Sequence, residues 1–177
     1  MNRLAKPWMR VSSMVRFIVV FVSALIALAI VFPWLSARYN REMMSFMSAT
    51  AWLVGQVLKL AGQDVSILGR FIHGSGFSIE VIEECTGVYE ILIFWAAVLA
   101  YPSRWPAKAA GFIGGAISLI ILNVIRMVIL YIVGHYQPDW FEFMHTYFWQ
   151  ATLILLIATV WIAWIKLVAS RPPRRGA

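Results

Sequence analysis

Apolar residues fall along this chain in blocks longer than a soluble core uses. Four of them, about residues 17–35, 88–101, 109–134 and 144–168, predict membrane-spanning helices. A helix crosses the hydrocarbon core in about 20 residues, so the second block spans fully only if residues 82–85 continue it. Tyr101-Pro102-Ser103-Arg104-Trp105-Pro106 reads as a turn between the second and third blocks. A fifth block, residues 43–61, is apolar but carries Gln56 and Lys59, with hydroxyls at Ser45, Ser48 and Thr50. After it, residues 65–72 and 77–83 are rich in β-branched and aromatic side chains. They flank His73-Gly74-Ser75-Gly76, which predicts a β-hairpin.

Charge decides how many blocks cross. Arg3, Lys6, Arg10 and Arg16 mark the N-terminus as cytoplasmic, Arg104 and Lys108 mark the loop after the second span, and Lys166, Arg171, Arg174 and Arg175 mark the C-terminal tail. All three regions share a side only if four segments cross. Residues 43–61 are therefore expected on the outer face, as a helix lying on or dipping into the lipid. Trp34 and Trp140 then fall at the outer interface and Trp105 and Trp164 at the inner one. The first block is longer than a signal-peptide core, and Ser36-Ala37 is a poor cleavage site, so an uncleaved anchor is expected. The expected fold is an all-α membrane protein of one domain, residues 1–177. It has about four transmembrane helices, and residues 40–87 form an extracytoplasmic helix and hairpin.

Composition agrees: 62% of residues are apolar and 13% charged. The net charge of +7 gathers at the ends of the apolar blocks, which points to membrane lipid and not to nucleic acid. One cysteine excludes an internal disulfide, a CxxC redox pair and a Cys-based zinc cluster, and no metal or cofactor is expected.

The candidate chemistry lies at the outer ends of three spans. Cys85 stands in Glu84-Cys85-Thr86-Gly87, a polar edge where a helix N-terminus is expected to lower its pKa. A lone cysteine in an apolar chain is more often packing material, but this one is not mid-helix. Arg126 lies about eight residues inside the third span, roughly 12 Å deep, where a charge costs about 2.5–3.5 kcal/mol and needs partners. Asn123 shares its face at i−3. Glu90, five residues beyond Cys85, reaches a similar depth and is expected to pair with Arg126. His145 opens the fourth span; His135 competes with it, and His73 belongs to the turn. A thiol, a buried cation and an imidazole at one end of three helices make a catalytic constellation. The alternative is a small transport or channel subunit with a polar path around Arg126, for which Cys85 would be dispensable. A non-catalytic assembly protein would tolerate changes at all three positions.

Glu84-Cys85-Thr86-Gly87, then Asn123-Val124-Ile125-Arg126, then His145 resembles the exosortase/archaeosortase family of membrane cysteine transpeptidases, nearer its bacterial side. The likeness covers about residues 65–157, in a form with fewer spans and with Thr86 where serine is common. It implies cleavage of exported proteins that carry a C-terminal motif, a hydrophobic helix and a basic tail, as in PEP-CTERM proteins. The reaction would occur at the outer face of the cytoplasmic (inner) membrane. In that scheme Cys85 attacks, His145 manages the proton, Arg126 stabilises the oxyanion or positions the carbonyl, and Glu84, Glu90 and Asn123 support the site.

Overall fold

The computed structural model describes residues 7–169, with side chains from residue 14 onward. Arg3, Lys6, Arg171, Arg174 and Arg175, on which part of the topology argument rests, lie outside the described residues. The chain is mostly helical with one small sheet. In order it forms α1 (Pro7–Arg38), α2 (Asn40–Leu60), β1 (Val65–Leu68), β2 (Phe71–Gly74) and β3 (Ser78–Glu80). There follow a 3-10 turn (Glu83–Cys85), α3 (Val88–Ala100), α4 (Trp105–Tyr136), α5 (Pro138–Phe143), a π-helical turn (Met144–Phe148) and α6 (Trp149–Trp164), with a second π turn at Ile165–Ala169.

Three helices among the described residues are long and apolar enough to cross a membrane: Met14–Arg38, Trp105–Tyr136 and Pro138–Ala169, the last running through both π turns. The second expected span is shorter than the others. α3 has 13 residues, about 20 Å of helix against a hydrocarbon core of about 30 Å. The helix keeps to the expected block of about 88–101, and the continuation through residues 82–85 that a full span would need does not form. Those residues enter a 3-10 turn, and Gly87 adopts a left-handed conformation (φ 82°) that separates the turn from α3.

α4 is the central helix. Leu119 packs with Ile91, Phe94 and Val98 of α3 and with Trp164 of α6 in the lower core. Gly115 lets the Phe94 ring lie against the α4 backbone, where any β-carbon would collide with it. At the same end, Trp164 Nε1 donates to the Ala107 carbonyl at 2.8 Å, Tyr101 packs edge-on to Trp164, and Phe17 stacks on Trp161 at 5.6 Å. These contacts gather Arg16, Arg104, Lys108 and Lys166 at the end of the bundle where α3 finishes.

At the other end, α2 presents Met47, Ala51, Val54, Gly55 and Leu58 at helical spacing. They pack on Val65, Ile72, Ile79 and Val81 around the sheet and on Val124, Met127 and Tyr131 of α4. α2 is not among the described helices that are long and apolar enough to cross a membrane. Ser45, Ser48 and Thr50 donate to carbonyls four residues back, which satisfies the hydroxyls in an otherwise apolar helix.

The expected hairpin is a three-stranded antiparallel meander, β1-β2-β3. The first flank folds back on itself, pairing Leu68 with Phe71. Gly69 makes this possible, because its φ of 58° suits the tight turn between right-twisted strands. The second turn matches expectation more closely: Gly76 has φ 85°, and Gly74 N donates to Phe77 O at 3.0 Å. Val65, Ile67, Ile72 and Ile79 fall on one face by register, against the core, with Ser66, Phe71, His73 and Glu80 on the other.

Candidate active site

The strand β3 leads the chain straight into the cysteine. In the 3-10 turn Cys85 N donates to Ile82 O at 3.0 Å. Thr86 Oγ1 donates to Glu83 O at 2.6 Å and accepts from Val88 N at 3.4 Å, so Thr86 stitches the turn to the start of α3. Gly87 is required twice over. Its φ is one that side-chain-bearing residues rarely adopt, and a β-carbon there would sit 3.2–3.3 Å from the Asn123 side chain.

Asn123 and Arg126 complete the construction from α4. Asn123 Nδ2 donates to the Cys85 carbonyl at 2.8 Å, and Arg126 Nη1 approaches Asn123 Oδ1 at 3.4 Å. The i, i+3 spacing read from the sequence thus ties the buried cation to the cysteine turn. Cys85, Asn123, Arg126 and Glu90 are all buried, with relative exposures of 4%, 3%, 5% and 8%.

A cavity of about 520 Å³ opens among these elements, lined by Glu84, Cys85, Glu90, Arg126 and His145, with Tyr89, Thr146 and Gln150 on its walls. His145 arrives on the π turn and stacks flat on Phe141, with centroids 5.6 Å apart. The wider turn locally shifts the helical register and places His145 and Gln150 on one cavity wall. His135 is not on this cavity; it stacks on Tyr131 and meets the edge of Tyr136. His73 hydrogen-bonds Ser78 on the sheet at 3.2 Å.

The expected Glu90–Arg126 ion pair does not form. Glu90 Oε2 and Arg126 Nε are both buried without a partner, and the ion pair among the described residues is Arg70–Glu80 on the sheet. Arg126 instead points its Nη1 along its own helix to Asn123. The sequence also hid Glu83. Its carboxylate accepts from Ser36 Oγ of α1 and from Tyr89 OH, so it clamps α1 to the cysteine turn, while Glu84 is exposed at the cavity rim.

A family model described as transmembrane exosortase matches residues 8–162, a stretch that contains every residue of this cavity. The chain belongs to the transmembrane exosortase family. Neither a curated protein nor a solved structure matched it in the same comparisons. Exosortases are a family of cysteine transpeptidases, and this exosortase has one cysteine to offer, Cys85.

The electrostatics of that thiol differ from expectation. Burial pushes the Cys85 thiol above its ordinary value; the Arg126 charge and a backbone hydrogen bond at Ile82 pull the other way, and Glu84 and Glu90 add to the rise. The helix dipole does not reverse this, because Cys85 sits in the separate 3-10 turn, three residues before the first residue of α3. The resting exosortase therefore holds a neutral thiol. Since only the thiolate is nucleophilic, the rate of Cys85 alkylation by iodoacetamide should still be climbing above pH 9. A rate that levels off at neutral pH would contradict the neutral thiol.

Proposed function

We propose that this exosortase is a cysteine peptidase and transpeptidase that cleaves C-terminal sorting signals of exported proteins through a Cys85 acyl-thioester. The observation that carries the proposal is a single cavity that takes Cys85 from the turn before α3, Arg126 from α4 and His145 from the start of the last span. Orientation follows from charge: Arg16, Arg104, Lys108 and Lys166 gather at the opposite end of the bundle from Cys85, so the cytoplasmic-side preference of basic residues turns the cavity outward in the inner membrane. The N- and C-termini are then cytoplasmic. An apolar groove of about 330 Å³, lined by Phe17, Phe21, Ile93, Ala97, Ile157 and Trp161, lies on α3 between α1 and α6. It offers a seat for the substrate's hydrophobic helix, which would leave the substrate's motif at the cavity above.

In the first half-reaction the Cys85 sulfur attacks the scissile carbonyl while its proton passes to His145. A buried neutral thiol needs such a base, which takes the proton as the bond forms. The guanidinium of Arg126 faces the developing oxyanion, where a fixed charge in a dry site is worth most. His145 then protonates the leaving amine, and the acyl group remains on Cys85. Asn123 fixes the Cys85 backbone, so the sulfur and the guanidinium keep one geometry.

The test is co-expression with an exported protein that ends in a motif, a hydrophobic helix and a basic tail, followed by its change in size on a gel. Processing should fall by about 100-fold or more in His145→Gln and by less than about two-fold in His135→Gln, whose half-buried ring lies off the cavity. Equal effects at the two histidines, or a loss confined to His135, would refute the assignment of His145.

A further inference from the structure

Glu90 is buried at the cavity and does nothing in the half-reaction above. Its Oε2 has no partner, it is 8% exposed, and the nearby Arg126 is turned to Asn123 and leaves its own Nε unpaired. A buried polar atom without a protein partner costs about 1–3 kcal/mol, and more if charged, and Glu90 lines the same cavity as Cys85, so a polar ligand seated there offers its carboxylate the missing partner. The ligand must donate a hydrogen to a carboxylate oxygen within reach of Cys85. A transpeptidase has a second substrate of that kind: the acceptor that resolves the thioester.

We propose that Glu90 binds and deprotonates the acyl acceptor, a primary amine or a water. This rests on the Cys85 acyl-thioester reading. The acceptor N–H or O–H donates to the Glu90 carboxylate. As the acceptor atom bonds to the thioester carbonyl carbon, its proton passes to Glu90, and the oxyanion again faces Arg126. Collapse breaks the carbon–sulfur bond and expels the Cys85 thiolate. The proton then passes from Glu90 to sulfur, restoring carboxylate and thiol. The division of labour follows position: His145 serves the departing amine from the outer wall on α6's approach, and Glu90 serves the acceptor from α3.

The experiment needs no natural substrate. The full-length exosortase in lipid nanodiscs is treated with p-nitrophenyl acetate, with Cys85→Ala as the control. Nitrophenol release reports acylation, and intact mass reports the lifetime of the acetyl group on Cys85, with and without glycinamide as the amine probe. Glu90→Gln should acylate within about two-fold of the parent yet lose its acetyl group about 100-fold more slowly, to water and glycinamide alike. Deacylation at the parent rate overturns the proposal, and an equal slowing of both steps overturns it in favour of a positioning role toward Arg126. Should Glu90→Gln fail to fold, the parent's deacylation still tests proton transfer: a solvent deuterium isotope effect of about two or more is expected, and its absence overturns the proposal. If the parent gains no acetyl group at Cys85, the acyl-thioester reading falls first and the Glu90 role with it.

Discussion

Cys85→Ala should abolish processing of a co-expressed sorting-signal protein, a loss of at least about 1000-fold, since removing a covalent nucleophile leaves only binding and oxyanion stabilisation. The same variant should fold as the parent does. The turn is held by backbone and Thr86 hydrogen bonds, and the group Asn123 grips is the Cys85 carbonyl, which alanine retains. The cost is the loss of one small buried side chain, about 1 kcal/mol, and elution as a single species in detergent should not change. An amine-trappable, hydroxylamine-sensitive adduct on the substrate should appear with the parent and not with Cys85→Ala. Full processing by Cys85→Ala would sink the mechanism. It would favour the transport or channel alternative, in which Arg126 and Glu90 line a polar path and the cysteine is incidental.

The residues that meet at the cavity are legible in the sequence where burying them is expensive. Arg126 stands out because a charge amid Phe112–Val133 carries a solvation cost that selection would not otherwise accept, and Asn123 follows from helical spacing. His145 and His135 could not be separated that way. Both lie near the ends of helices, and only the π turn, which no pattern in Met144–Phe148 announces, carries one of them on the cavity wall. Glu83 was invisible for a different reason: its partner Ser36 is 47 residues away, and no local spacing encodes such a contact. In the fold, apolar blocks locate the long helices, while Gly69 stands inside a β-rich run that reads as one strand and yet makes a turn. The bounds of α3 follow the apolar block closely, and what hydropathy does not register is that a glycine at positive φ, Gly87, keeps residues 82–85 from joining it. The direction of the Cys85 pKa is opposite to the expected one chiefly because the thiol is buried, which the sequence does not encode, and also because the 3-10 turn separates it from the start of α3.

Arg126→Met should separate activity from stability. The parent buries a guanidinium with one long hydrogen bond, to Asn123 at 3.4 Å, and an unpartnered Nε. Poorly compensated buried charges are replaced by apolar side chains of similar volume at little cost, and often with a gain of about 1–4 kcal/mol. Methionine leaves Asn123 Oδ1 without its donor, at about 1 kcal/mol, while Asn123 Nδ2 keeps the Cys85 carbonyl. The melting temperature of Arg126→Met in nanodiscs should therefore equal or exceed that of the parent. Acylation by p-nitrophenyl acetate should nonetheless fall by about 100–1000-fold, the usual effect of removing an oxyanion donor. Arg126→Lys sharpens the point: it keeps the charge but lacks the planar fork that can reach Asn123 and a carbonyl oxygen together. It should recover only part of the rate, with a lower melting temperature than the methionine variant. A methionine variant that acylates at the parent rate would remove Arg126 from the reaction. One that melts far below the parent would make the arginine a structural element. The paired outcome, stability kept and rate lost, is the one expected of a charge held in an apolar bundle for its effect on a transition state.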